Sequence, residues 1–223
     1  MNKLTLLIPA NKEVESLPFF LKELASYNYE KIVVLQEEDK DTMNSISDFK
    51  DIKICVQKNR GYGSALKEGI ESIKTEYFCI INADGSMDPK YLSEMLLLCE
   101  DQDLVFASRY LKGGGSDDDN IVTFVGNKCF SLIGNLLFNL NLSDILYTFI
   151  IGKTKSVRML GLKYHDFRIC VEIPIKAKFK KMNYICTPSF ERERIGGKKK
   201  VNALKDGLLI LSEIVIYFLR LKK

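Results

Sequence analysis

Over the first 110 residues, short apolar runs alternate with amphipathic stretches, and this alternation constrains the fold more than any other feature. The runs at residues 4–9 (LTLLIP), 31–36 (KIVVLQ), 51–57 (DIKICVQ), 77–82 (YFCIIN) and 103–110 (DLVFASRY) read as strands. Between them, residues 13–27, 64–74 and 89–100 carry apolar side chains at helical spacing. Strands written as near-continuous β-branched runs are covered on both faces. The pattern therefore predicts an α/β fold with a mostly parallel central sheet and helices on both faces. In such sheets ligands bind at the carboxyl ends of the strands. Those ends read PANKE, QEEDKD, KNRGYG and NADGSMD, a concentration of polar, acidic and glycine residues that marks a ligand crevice.

Asn82 and Asp84 put two oxygen side chains at the end of a buried strand. Such a pair can hold a hard divalent cation, Mg²⁺ or Mn²⁺, that also binds a diphosphate. Asn82 offers a neutral oxygen and binds metal more weakly than an aspartate would. The same residues also fit a turn leading into the next helix, with Asp88 as cap and Pro89 as first helical residue. In KNRGYGSALKEGI, Gly61 and Gly63 let the backbone approach a ligand and Arg60 can neutralise phosphate, although turn glycines explain the spacing equally. Asp144 is a carboxylate in an apolar region, either placed for base work or a structural acceptor. FERERIGGKKK gathers Arg192, Arg194, Lys198, Lys199 and Lys200 around a glycine pair, as a loop that closes over phosphates or as a solvated charged loop. His165 is the one histidine and has no partner pattern, so a surface or structural role is expected.

The second half changes character. GGGSDDDN is a flexible acidic loop, an apolar helix follows at residues 122–140, and another spans 170–181 with a start or kink expected at Pro174. YICTPSF is a short strand, and residues 201–223 form an amphipathic terminal helix whose apolar stripe can pack on the sheet or rest on a membrane. The net charge of +4 is uneven: from Pro174 onward there are 13 Lys and Arg against 4 Asp and Glu, which points to an anionic partner. The best membrane-spanning candidate, residues 208–221, is interrupted by Glu213, and the N-terminus is a better strand than signal peptide. The six cysteines show no metal spacing and read as small buried hydrophobes in a reducing compartment. A cytoplasmic location is expected, with peripheral attachment at the inner face of the membrane left open.

Taken in order, these segments resemble a GT-A-fold glycosyltransferase of family 2, nearest the dolichyl-phosphate mannosyltransferase-like branch. LLIPANKEVESL resembles the family's opening motif, NRGYGSALKEGI its glycine loop and helix, and INADGSMDP stands where its Asp-x-Asp metal motif belongs. ASRYLKGG, GNKCFSLIGNLLFNLNLSDILYTFIIGK and TPSFERERIGGKKK resemble its later segments, so the likeness spans nearly the whole chain. It implies one GT-A domain over residues 1–223, with a nucleotide-sugar-binding half (1–110) and an acceptor-side half (111–223). Pro9, Ala10, Glu13, Arg60, Gly61, Ala83 and Asp84 would then bind a UDP- or GDP-linked donor, and Asn82 and Asp84 the metal. Arg109, Arg192, Arg194 and Lys198 would serve phosphate groups of the acceptor or donor, and Asp144 would be the base or an acceptor-orienting carboxylate. The implied reaction is an inverting, metal-assisted transfer to a polyprenyl phosphate or surface-glycan precursor, with no nucleic-acid partner.

The chain departs from the family pattern in four places. Asn11 stands at the family's usual Tyr and Lys12 at its Asn. Asn82 replaces the first metal aspartate. LQEEDKD replaces the aspartate pair that reads the nucleobase, leaving Gln36, Glu37 or Asp39 to stand in. Tyr147-Thr148-Phe149-Ile150 replaces the usual aromatic motif. A degenerate nucleotide-sugar-binding module and a nucleotidyltransferase are the alternative readings.

Overall fold

The computed structural model describes residues 3–196 and 203–221. Its strands are β1 (Leu4–Pro9), β2 (Glu30–Gln36), β3 (Ile52–Gln57), β4 (Tyr77–Ile80), β5 (Leu104–Ser108), β6 (Gly115–Ser116), β7 (Ile150–Lys153), β8 (Tyr184–Pro188) and β9 (Phe190–Glu191). Its helices are α1 (Ser16–Leu24), α2 (Lys40–Ser45), α3 (Tyr62–Ser72), α4 (Leu92–Leu98), α5 (Ile121–Phe138), α6 (Thr154–Met159), α7 (Ile169–Phe179) and α8 (Ala203–Leu221). Seven strands form one sheet in the order β3-β2-β1-β4-β7-β5-β8, and β6 pairs with β9 in a small ribbon. Every pairing in the large sheet is parallel except those of β7, which runs antiparallel to both β4 and β5.

Each sheet face carries its own core because successive side chains of a strand point to opposite faces. Leu4, Leu6 and Ile8 of β1 pack with Leu17, Phe20, Leu21 and Leu24 of α1 and with Leu92 and Met95 of α4. Leu7, on the other face, packs with Ala65, Leu66 and Ile70 of α3, in a cluster that continues to α7 and to Ile210 and Ile214 of α8. Burying each such Leu, Ile or Phe side chain contributes roughly 1.5–3 kcal/mol.

Several local readings needed correction. The helix expected over residues 89–100 is split into a 3-10 turn, Pro89–Tyr91, and α4. The short α2 was not anticipated; Asp39 caps it by accepting from the Thr42 amide at 3.4 Å. α7 does not start at Pro174 but runs through it. Its buried Ile169, Val171, Ile173 and Ile175 outweigh the one backbone hydrogen bond that the proline removes. Cys79, Cys99 and Cys170 are buried as expected, whereas Cys129 is exposed on α5. Among the described residues, the helix long and apolar enough to cross a membrane, by length and composition, is α5, not the terminal one.

Candidate active site

A cavity of about 610 Å³ lies at the carboxyl edge of the large sheet. Pro9 and Ala10 reach it from the end of β1, Gln36 from β2, Gln57 from β3, Asn82, Ala83 and Asp84 from just beyond β4, and Arg109 from β5. Tyr147 and Thr148 enter from the segment that leads into β7, which begins at this edge because β7 runs backward. Glu13 also lines the cavity, accepting from the Ser16 hydroxyl at 2.6 Å while its amide donates to Thr42 Oγ1 at 3.0 Å. On the side of α5, α7 and α8 the wall is mostly apolar, with Val122, Phe130, Leu146, Phe167 and Ile210, interrupted by Thr123 and Asn127.

Gly61 caps α3 at φ 109°, a region that favours glycine, and a side chain there would collide with the His165 carbonyl. That carbonyl accepts from the Ser64 amide at 3.2 Å, and the Ser64 hydroxyl meets His165 Nδ1 at 2.6 Å. His165 thus holds the start of α3 in place, a structural role.

Asp84 makes the turn that was one of its two readings. Its Oδ1 accepts from the Ser86 amide at 3.1 Å and hydroxyl at 2.8 Å, which makes the turn, while its Oδ2 faces Arg194 at 3.5 Å inside the cavity. Asn82 Oδ1 accepts from the Tyr62 hydroxyl at 3.2 Å, and that hydroxyl also meets Thr148 Oγ1 at 2.6 Å. Arg194 binds Asp118 through two bonds, at 3.1 and 2.7 Å, so it bridges the acidic loop and the turn after β4.

Three expected site residues are not brought to the cavity. The Arg60 guanidinium, 78% exposed, pairs with Glu38 at 2.9 Å. Arg192 binds Glu23 at 2.8 and 3.0 Å and the Gly85 carbonyl at 2.7 Å, fastening the late loop to α1 and to the turn beside Asp84. Asp144 is fully buried and outside the cavity lining, with both oxygens held by Arg109 at 2.7 and 3.0 Å, so it is placed as a positioning group rather than as a base. Lys198 lies outside the described residues.

Among the described residues, five carboxyl groups line the cavity (Glu13, Asp84, Asp118, Asp119 and Glu191), against two guanidiniums, Arg109 and Arg194. Burial, opposed by Arg109 and Ser116, raises the pKa of Glu191. Arg109 is also buried, which works against its charge, but Asp144 and Glu191 more than offset this and its pKa lies well above the ordinary value. A dianionic diphosphate entering so acidic a cavity needs cationic compensation. Among the described residues no group of three or more His, Cys, Asp or Glu forms a ready-made metal cage. The chain offers Asp84 with Asn82, a donor set that fits a Mg²⁺ or Mn²⁺ ion sharing its coordination with substrate phosphates.

Residues 5–161 match the sequence profile of Glycosyl transferase family 2. The chain belongs to that family. This family 2 glycosyltransferase is 33% identical over 95 residues to an uncharacterised glycosyltransferase of Mycobacterium tuberculosis, a match that spans 41% of the chain and 43% of that relative. It is 26% identical over 198 residues to an uncharacterised protein of Methanocaldococcus jannaschii, covering 78% of the chain and 81% of that protein. Its GT-A fold is shared with glucosyl-3-phosphoglycerate synthase of M. tuberculosis, solved with UDP (TM-score 0.72, 12% identity, 97% of this chain and 80% of that one). A second crystal structure of that synthase holds Mn²⁺, UDP and glucosyl-3-phosphoglycerate (TM-score 0.70, 13% identity, 97% and 80% covered). Mannosyl-3-phosphoglycerate synthase of Rubrobacter xylanophilus is also similar (TM-score 0.66, 12% identity, 99% and 75% covered).

Sequence reasoning missed several cavity residues of this glycosyltransferase. Asp118 and Asp119 sat in a run read only as a flexible loop, although an acidic run following the Ser-Arg-Tyr segment was a usable signal. Glu191 was hidden between Phe190 and Arg192 in FERER, and nothing in the sequence joined Tyr62, Thr148 and Asn82.

Proposed function

We propose that this family 2 glycosyltransferase moves a hexose from a UDP- or GDP-linked donor to an acceptor with a phosphate head and an apolar tail. A polyprenyl phosphate or a lipid-linked surface-glycan precursor has that chemistry, as used in the dolichyl-phosphate mannosyltransferase-like branch that the segments resemble. The observation that carries the reading is the cavity's two-sided lining: polar strand ends with Arg109 and Arg194 on one side, and Val122, Phe130, Leu146, Phe167 and Ile210 on the other. Phosphoglycerate, the acceptor in the neighbouring synthase structures, has no apolar part to occupy such a wall.

Inverting displacement fits the same residues. A phosphate oxygen is already anionic and attacks the anomeric carbon without a general base, consistent with Asp144 being locked to Arg109. Arg109 and Arg194 hold phosphate groups, and Tyr62 and Thr148 orient Asn82. A divalent cation bound with the donor offsets charge on the departing nucleoside diphosphate.

The test is a transfer assay with UDP- and GDP-hexoses and Mn²⁺, offering a short-chain polyprenyl phosphate or phosphoglycerate. Glycosylated polyprenyl phosphate is expected; transfer to phosphoglycerate alone would overturn the acceptor. Asn82, at the family's aspartate position, favours a second reading, a module that binds donor without turnover. Its signature is donor-induced thermal stabilisation with no product from any donor in the panel.

A further inference from the structure

Two neighbouring helices present apolar side chains that the fold leaves in solvent. On α5, Ile121, Val125, Leu132 and Leu136 share one side of the helix and are exposed, Ile121 by 83% and Leu136 by 74%. On α8, Leu208, Leu211, Val215 and Leu219 recur at the spacing of one helical face and are also exposed, Leu208 by 68%. The other side of α8 packs inward through the buried Ile210 and Ile214, and the helix lies against α5. Soluble monomers rarely leave a contiguous apolar surface of more than a few hundred Å² uncovered.

The charge around this face selects its occupant. α5 carries a single charged residue, Lys128, and no carboxylate. Among the described residues, α8 carries Lys205 and Arg220 against Asp206 and the buried Glu213, and the sequence flanking this helix adds five lysines at positions 198–200, 222 and 223. An apolar face within a basic stretch matches an anionic bilayer, whereas a second copy would set the same positive charge against itself. Although α5 is long enough to cross a membrane, its inner side is tied along the protein surface. Asn127 donates to the Tyr110 hydroxyl at 3.0 Å, Asn135 to the Leu142 carbonyl at 2.8 Å, and the Ser131 hydroxyl accepts from the Ile145 amide at 3.2 Å.

We propose that α5 and α8 form a docking face that lays this protein on an anionic lipid bilayer. Val122, Phe130 and Ile210 of the same two helices line the cavity, so docking sets its apolar wall beside the lipid. The face deepens the acceptor reading but is tested without it, because vesicle binding needs neither donor nor transfer.

The experiment is flotation of the full chain with phosphatidylcholine vesicles, with and without phosphatidylglycerol. The chain is expected to float with the anionic vesicles, and the bound fraction to fall about tenfold in Leu132→Glu/Leu136→Glu and in Leu208→Glu/Leu219→Glu. These side chains are exposed, so the thermal unfolding of both variants should match the parent. The chain has no tryptophan, so Leu136→Trp gives a single reporter whose emission should shift to the blue on anionic vesicles. No flotation of the parent chain, flotation indifferent to the glutamates, or a lipid-free dimer broken by the same substitutions would each overturn the proposal.

Discussion

Arg109 and Asp144 meet edge to edge, with Nε donating to Oδ2 at 2.7 Å and Nη2 to Oδ1 at 3.0 Å, and the aspartate has no exposed surface. The same guanidinium reaches Glu191 at 3.1 Å and lies 4.6 Å from the centre of the Tyr147 ring. Asp144 therefore fixes the direction in which a buried cation faces the cavity.

Asp144→Ala should destabilise the fold by about 3–5 kcal/mol in denaturant unfolding, because it strips a buried charge of its main partner. Asp144→Asn should lose less stability while weakening phosphate-bearing substrates through a misdirected Arg109. A large fall in kcat at unchanged stability and KM would instead mark Asp144 as a base.

Asp84 and Asn82 should separate in a thermal-shift titration with nucleoside diphosphate and Mn²⁺. A ligand at a hundredfold its Kd stabilises the fold by about 2.7 kcal/mol, so loss of binding is easily read. Asp84→Ala is expected to abolish the Mn²⁺-dependent part of the shift. Asn82→Asp should enlarge it by replacing an amide oxygen with a carboxylate.

Glu191 predicts a pH effect. Burial raises its pKa above the ordinary 4.5, so the folded chain holds this proton more tightly than the unfolded one. Its contribution to stability is therefore fully present below about 4.5 and is lost as pH rises through the raised folded value. Glu191→Gln should flatten the unfolding free energy across that window, as measured by denaturation at a series of pH values. An identical slope in parent and variant would contradict the assignment.

Gly61→Ala should cost about 1–3 kcal/mol, because alanine is strained at φ 109° and meets the His165 carbonyl. Donor affinity should fall with it, since Gly61 lines the cavity. Gly161→Ala, also at positive φ but with open space around it, is the control for strain without collision.

β1, β2, β4 and β5 and their polar ends were legible because doubly covered strands write themselves as continuous apolar runs, whereas the edge strand β3, with Ile54 and Val56 exposed, was legible by residue type alone. β7 was not, since its IIGK offers two apolar residues before a glycine and a lysine. At the site, Pro9, Ala10, Asn82 and Asp84 could be placed because a strand end fixes where a side chain goes. Arg60 and Arg192 resembled phosphate ligands by type alone. Their partners, Glu38 and Glu23, lie 22 and 169 positions away, and no local pattern signals pairing at such separations.

The reversed direction of β7 also bears on how the chain can be divided. Among the described strands β5 pairs only with β7 and β8, so the strand that delivers Arg109 has no neighbour within the first 110 residues. Cut there, β4 would present a bare edge and β5 would have nothing to bond to. During synthesis the cavity edge of the sheet stays unfinished until residue 188 is available, and the part of the chain after residue 110 cannot be exchanged for another without also supplying the two strands that complete the sheet.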